Sequence, residues 1–313
     1  MTHTGGHVPV LIDEVLETLS PQTGDTIVDG TFGGGGYTQR ILNAADCNVI
    51  GIDRDPDAIA RGKDLEQENK NFQILQGCFG DIAQLLSAHG TPKVDGIVLD
   101  LGVSSFQIDQ AERGFSFLKD GPLDMRMSKD GQSAADIVNT YDEKDIADIL
   151  YKYGEERKSR FIAKKIVEAR KTTPFETTAQ LASLIENTIG KKRKPSDAHP
   201  ATRSFQALRI AVNDELGELD RALEASISLL NPGGRLVVVT FHSLEDRRVK
   251  TFFREKSGDI PKGSRHAPMI EPENDVYFFR CPERRARAPS DSEIQFNPRA
   301  RSAKLRYGIR TEH

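Results

Sequence analysis

Three carboxylates stand at the ends of short apolar runs: Asp29 after Thr26-Ile27-Val28, Asp53 after Val49-Ile50-Gly51-Ile52, and Asp100 after Ile97-Val98-Leu99. Between the first two lies Gly30-Thr31-Phe32-Gly33-Gly34-Gly35-Gly36-Tyr37, and then Thr38-Gln39-Arg40-Ile41-Leu42, which opens a helix. A strand, a glycine turn and a helix start form a ligand cradle. Glycine lets backbone approach a ligand without a Cβ in the way, and the helix start offers unpaired N–H groups. Asp53 falls where the acidic residue of a βαβ unit reaches ribose hydroxyls.

The register narrows the ligand. A dinucleotide fingerprint needs G-x-G-x-x-G, but Thr38 stands three places after Gly35. A P-loop needs Gly-Lys-Ser/Thr, and no lysine is present in this stretch. An acidic strand end followed by glycines fits S-adenosylmethionine (SAM) enzymes. The plainer reading is a glycine-rich turn, with Asp53 capping the helix that begins near Pro56.

These residues need elements to hold them. Apolar runs place strands at 26–30, 48–53, 72–76 and 95–101, and periodicity places helices at 36–44, 56–68 and 81–88. Asp55-Pro56 starts a helix and Gly90 ends one. Leu11, Val15, Leu16 and Leu19 mark a short amphipathic helix led in by His7-Val8-Pro9-Val10. Such alternation implies an α/β fold with a mostly parallel sheet, helices on both faces, and ligands at the carboxyl ends of the strands. Asp29, Asp53, Phe79 and Asp100 all fall at or near such ends.

The pattern changes after Asp100-Leu101-Gly102-Val103-Ser104-Ser105. Residues 106–132 read as loop, and 133 to about 190 as helices, with capping boxes at Ser133–Asp136 and Thr177–Gln180. We expect an inserted helical substrate-recognition domain at 105–199 and a sheet domain formed by 1–104 and 200–313. A long helix is expected from His199 to about 230, stopped by Asn231-Pro232-Gly233-Gly234. Then come a strand at 235–243, a helix from Leu244 to Lys256, and closing strands at Tyr277–Phe279 and Lys304–Ile309.

The formal charge of -4 over 313 residues hides an asymmetry. Residues 1–110 hold 6 Lys/Arg and 16 Asp/Glu, a balance of -10, so the remainder stands at +6. An acidic ligand-binding half and a basic remainder suggest a polyanion partner. No segment reads as a signal peptide or an 18-residue apolar run, so a soluble, cytoplasmic protein and no membrane partner are expected. Cys47, Cys78 and Cys281 are scattered and the seven histidines do not cluster, so no metal site is expected.

Longer motifs carry a resemblance. They are Asp29–Gly33, Asp53–Pro56, Asp100–Ser105, Glu112–Phe117, Gly121–Met127, Arg203–Ile210, Thr240–Arg247 and Asn297–Arg306. Across essentially the whole chain the sequence resembles the bacterial small-subunit (16S) rRNA (cytosine-N4)-methyltransferase family (RsmH/MraW). The resemblance implies a class I SAM-dependent methyltransferase fold (Rossmann-like) with an inserted helical domain. It implies methylation of the N4 amine of a cytidine in the decoding region, within an assembled small subunit. The implied SAM-binding residues are Gly33, Gly35, Gly36, Tyr37, Asp53, Phe79, Asp100 and Gln107. Tyr37 and Phe106 depart from the family, which usually has His and Pro there.

For the chemistry, Asp100 either accepts from the target amine or only contacts SAM. His242, after the fifth strand, either faces the base or is structural. Asp124 lies in a loop that is either a lid or a plain turn, and Phe115 and Phe117 either stack on bases or pack in a core. Lys191-Lys192-Arg193-Lys194, Arg203, Arg209 and nine Lys/Arg in 280–310 are candidate RNA contacts. Competing readings are a SAM methyltransferase with another substrate, and an assembly factor that binds RNA and SAM without turnover. The oligomeric state stays open.

Overall fold

The structure is a computed structural model, and it describes residues 9–191, 198–258 and 277–313. His7, Val8 and Lys192–Lys194, which carried sequence expectations, lie outside the described residues.

The chain forms two compact units, Met1–Gly102 with Leu216–His313, and Val103–Glu215. The first opens with α1 (Ile12–Leu19), β1 (Thr26–Asp29), α2 (Gly36–Ala44), β2 (Asn48–Asp53), α3 (Pro56–Glu68), β3 (Phe72–Gln76), α4 (Ile82–His89) and β4 (Val94–Asp100). The second contains α5 (Ser105–Asp109), α6 (Ala134–Thr140), α7 (Glu143–Gly154), α8 (Ser159–Arg170), α9 (Thr178–Ile189) and α10 (Thr202–Asn213). The chain returns through α11 (Glu215–Leu229), β5 (Leu230–Thr240), α12 (Ser243–Lys256), β6 (Phe279–Arg280), α13 (Asp291–Phe296) and β7 (Lys304–Arg310).

The sheet runs β3-β2-β1-β4-β5-β7-β6. The first five strands are parallel, and β7 pairs antiparallel with both β5 and β6. Residues alternate between two cores, as a sheet covered on both faces requires. Val28, Ile97, Leu99 and Val238 face α4, α11 and α12, while Ile27, Val98, Val237 and Val239 face α1, α2 and α3. The order reverses direction at β1/β4, the place where an open α/β sheet leaves a crevice at its carboxyl edge.

The helical unit has its own core, built from Ile146, Leu150, Ile162, Ile166, Leu181 and Phe205, among others. Its second boundary differs from the expectation at 199, because residues 200–215 also belong to this unit. The expected long helix is two helices, broken at Asp214 with φ 50°. Asn and Asp tolerate this left-handed conformation better than most residues. α10 then packs against α7, burying Phe205, Ala207 and Leu208. Asn231–Gly234 also departs from the expected plain stop: β5 already begins at Leu230, with a register shift opposite Val94/Gly96.

Among the described residues, no helix is long and apolar enough to cross a membrane, and no group of three or more His, Cys, Asp or Glu is placed to hold a metal ion.

Candidate active site

The carboxyl edge of the sheet gathers the glycine loop, Asp29, Asp53, Phe79 and Asp100. Asp29 ends β1 fully buried, and its Oδ2 accepts the Thr38 hydroxyl at 2.7 Å. Burial pushes its carboxyl up to about 6, against the hydrogen bonds from Thr38 and Thr31. Asp29 is therefore a buried knot under the loop.

The loop is held from three sides. Asp53 Oδ2 accepts the Gly33 N–H at 2.7 Å, and its Oδ1 accepts the Asp55 N–H at 2.8 Å. The Arg61 guanidinium on α3 donates to the Gly33 carbonyl at 3.1 and 3.3 Å. The Gly35 N–H closes a turn onto the Phe32 carbonyl at 2.7 Å. Gly35 sits at φ 74°, and a Cβ there would meet the Phe32 ring at 2.9 Å. A Cβ on Gly36 would meet the Pro9 side chain at 2.4 Å. Arg61 escaped the sequence reading, since nothing marks an arginine one turn inside a helix as a loop clamp.

Phe79 follows β3 in a short 3-10 turn, Phe79–Asp81. Its Cβ lies 3.6 Å from where a Gly30 Cβ would stand, so it borders the end of β1. Glu218 on α11 fixes the turn, accepting the Gly80 N–H at 2.7 Å.

Asp100 ends β4. Its backbone N–H donates to Thr31 Oγ1 at 2.7 Å, and its carboxyl Oδ1 is buried with no hydrogen-bond partner. Burial pushes the Asp100 carboxyl well above the usual range, and the neighbouring Asp29 and Glu245 carboxylates add to this. Tyr37 lies against it. The buried Tyr37 hydroxyl donates to the Val10 carbonyl, so the residue at this departure from the family pattern joins the strand-end site to the α1 approach.

His242 is the N-cap of α12. Its Nδ1 accepts the Glu245 N–H at 3.4 Å, and its Nε2 lies 3.0 Å from Glu245 Oε1. The acceptor role at Nδ1 assigns the ring proton to Nε2. Glu245 Oε2 accepts the Phe241 and His242 N–H groups at 2.8 and 3.2 Å, completing a capping box. Asp246 binds Lys304 and Arg306 at 3.0 and 2.8 Å.

In the helical unit, Gln107 caps α5. Its Oε1 accepts the Ser104 N–H at 3.0 Å, and its own N–H donates to Ser104 Oγ at 3.3 Å. The loop Gly121–Met127, read from sequence as either a lid or a plain turn, is part of that unit's core. Leu123 and Met125 are buried, Asn213 bonds Met127 N–H and the Met125 carbonyl at 2.9 and 2.7 Å, and Asp124 is spent on Arg126 at 2.7 Å. Phe117 packs on His199 and Phe205, at ring centroid distances of 4.7 and 4.8 Å. Arg209, expected to face RNA, forms a two-pronged ion pair with Glu215 at 2.8 and 2.9 Å. In the tail, Arg287 is held by Glu17 and Glu283, and Arg310 donates to the Ile227 carbonyl.

This donor set fits SAM. Asp53 uses one lone pair on each oxygen for the loop, and a carboxylate has about four acceptor sites, so acceptors remain for a ribose. The orphaned Asp100 oxygen is an acceptor awaiting a donor or a cation. The uncapped start of α2, with glycine at N-cap and N1, leaves N–H groups for a ligand.

The chain matches the MraW methylase family over residues 4–310. It is 57% identical to a Hyphomonas neptunium protein named ribosomal RNA small subunit methyltransferase H, across 98% of this chain and 89% of that protein. A Rhodospirillum rubrum protein of the same name is 59% identical, across 98% of this chain and 94% of that protein. One from Paramagnetospirillum magneticum is 54% identical, across 97% and 96%. The chain belongs to the MraW methylase family, with the class I methyltransferase fold and SAM as its methyl donor.

Proposed function

We propose that this protein methylates the N4 amine of a cytidine in the decoding region of small-subunit rRNA, acting in the cytoplasm on RNA within an assembled subunit. The relatives' shared name supports an rRNA substrate. The motif resemblance supports the cytidine and its amine. One observation carries the chemistry: the buried, partnerless Oδ1 of Asp100 at the end of β4, beside the glycine loop.

Bound SAM supplies a methyl already activated on a sulfonium. The cytosine amine is a poor nucleophile, because its lone pair is delocalised into the ring. Asp100 Oδ1 would accept one amine N–H, turn the lone pair toward the methyl and take that proton as the N–C bond forms and the methyl–sulfur bond breaks, with S-adenosylhomocysteine leaving as the neutral thioether. Burial and the neighbouring Asp29 and Glu245 carboxylates push the Asp100 carboxyl up, so the group must be ionised before it takes the proton. Thr31 fixes the Asp100 backbone, and alignment of this kind contributes several kcal/mol.

Asp53 would hold the ribose and Phe79 would border the adenine; Gly33 and Gly35 shape the loop through their own N–H bonds to Asp53 and Phe32, and the Gly36 and Tyr37 N–H groups at the start of α2 would hold the amino-acid end. Gln107 completes the cofactor set by resemblance, and the unit Val103–Glu215 recognises substrate. His242 positions α12 through its capping box, with its Nδ1 as the cap and its buried Nε2 without a hydrogen-bond partner.

The test is methyl transfer from labelled SAM to small subunits and to naked rRNA from cells lacking this protein, with nucleoside mass analysis. N4-methylcytidine on subunits is the expected product. Label on a different atom or base, or no label with SAM bound, would overturn the proposal.

A further inference from the structure

The short helix α13 is tied to the active-site edge by a chain of contacts. Ser290 caps it, accepting the Glu293 N–H at 3.2 Å. Glu293 Oε1 then accepts the Leu11 N–H at 2.7 Å. Leu11 is fully buried at the head of α1, and its neighbour Val10 accepts the Tyr37 hydroxyl, which lies against Asp100. α13 therefore stands on the approach to the same end of the sheet as Asp100.

Its last residue is Phe296, 92% exposed. An aromatic ring left in water adds nothing to the core, although its burial would contribute. The chain then enters the 3-10 turn Pro298–Ser302, where the Asn297 side chain accepts the Arg299 N–H at 3.2 Å. Ala300 is fully buried, so the turn is anchored, and Arg299 and Arg301 on either side are exposed. The anchored turn thus keeps an exposed aromatic ring and the exposed Arg301 five residues apart in the chain. Lys304, Arg306 and Arg287 nearby in sequence are committed to Asp246, Glu17 and Glu283.

We propose that this segment docks single-stranded substrate RNA. Phe296 stacks on a base flanking the target nucleotide, and Arg301 takes an adjoining phosphate. Stacking on an aromatic ring beside cationic side chains is how proteins hold unpaired nucleotides, and a target base must leave its own stack to be modified. The inference rests on the rRNA reading of the site.

Three variants test it: Phe296→Leu, Phe296→Trp and Arg301→Gln. The readouts are filter binding of naked small-subunit rRNA, methyl-transfer kinetics on small subunits, and SAM affinity by calorimetry. Phe296→Leu should weaken RNA binding and raise KM about ten-fold. Its kcat and SAM affinity should not change, and Phe296→Trp should restore binding. Arg301→Gln should lower the slope of binding against salt by about one. Unchanged RNA affinity in Phe296→Leu, or equal loss in the Leu and Trp variants, would overturn the proposal. Wild-type protein that transfers no methyl to small subunits would overturn the functional reading itself, so the two failures are distinguishable.

Discussion

Thr31 Oγ1 accepts the Asp100 backbone N–H at 2.7 Å, while the Thr31 N–H donates to Asp29 Oδ1 at 3.3 Å. One threonine thus locks the ends of β1 and β4 together beneath the glycine loop. Thr31→Val keeps the shape but strands the Asp100 N–H, at a cost of about 1–3 kcal/mol. We expect a lower melting temperature and a kcat that falls more than SAM affinity does. Thr31→Ser should retain both, and an unaffected kcat in Thr31→Val would remove this lock from the account.

Asp53 binds both loop and ribose in the proposed site. A hydrogen bond to a charged group contributes about 1.5–3 kcal/mol, so Asp53→Ala should weaken SAM binding by roughly 10- to 150-fold. RNA affinity should be nearly unchanged. Calorimetry with SAM and filter binding with rRNA check this; equal loss of both would mean that Asp53 only holds the fold.

The sheet was legible because β1, β2 and β4 are apolar runs ending in carboxylates and the helices between them keep a clear period. The expected strands at 48–53 and 72–76 and the helices at 36–44 and 56–68 match the observed bounds. The boxes at Ser133–Asp136 and Thr177–Gln180 were visible because serine and threonine are ordinary caps. His242 was not legible as a cap, since histidine carries no such signal. The break at Asn213-Asp214 was hidden inside a continuous helical pattern, with no glycine or proline to mark it. Long-range roles such as Arg61 on Gly33, Glu293 on Leu11 and Arg209 on Glu215 depend on tertiary placement alone.

His242 offers a sharp contrast between roles. If it caps α12, His242→Ala destabilises the protein by about 1–2 kcal/mol, and His242→Asn, a good N-cap, recovers much of this. In the folded fraction, kcat stays within about three-fold of wild type, because general-base loss would cost roughly 100-fold or more. Urea unfolding and kcat at saturating substrate measure the two effects. A stable His242→Ala protein without turnover would make the imidazole catalytic.

Asp29 sets a pH dependence of stability. Burial pushes its carboxyl up to about 6 in the folded chain, against an ordinary 3.8. Between these values the native state holds a proton that the unfolded state has lost, so this group's contribution declines as pH rises through the window. The ceiling is about 3 kcal/mol, from some two pH units at about 1.4 kcal/mol each. Asp29→Asn removes the term. Across urea unfolding at about pH 4 and about pH 6.5, the difference between variant and wild type should move toward the variant. A difference that does not change with pH would contradict the assignment.

The central claim is that Asp100 takes the amine proton. Its direct test is the pH profile of single-turnover methyl transfer to small subunits, for wild type and Asp100→Asn, with SAM affinity measured alongside. The wild-type rate should rise with pH through a value above the usual carboxylate range. Asp100→Asn should still bind SAM and lose roughly 100-fold or more in rate, with no such limb. A variant that turns over at the wild-type rate once SAM is saturating would reduce Asp100 to a cofactor contact and contradict the mechanism.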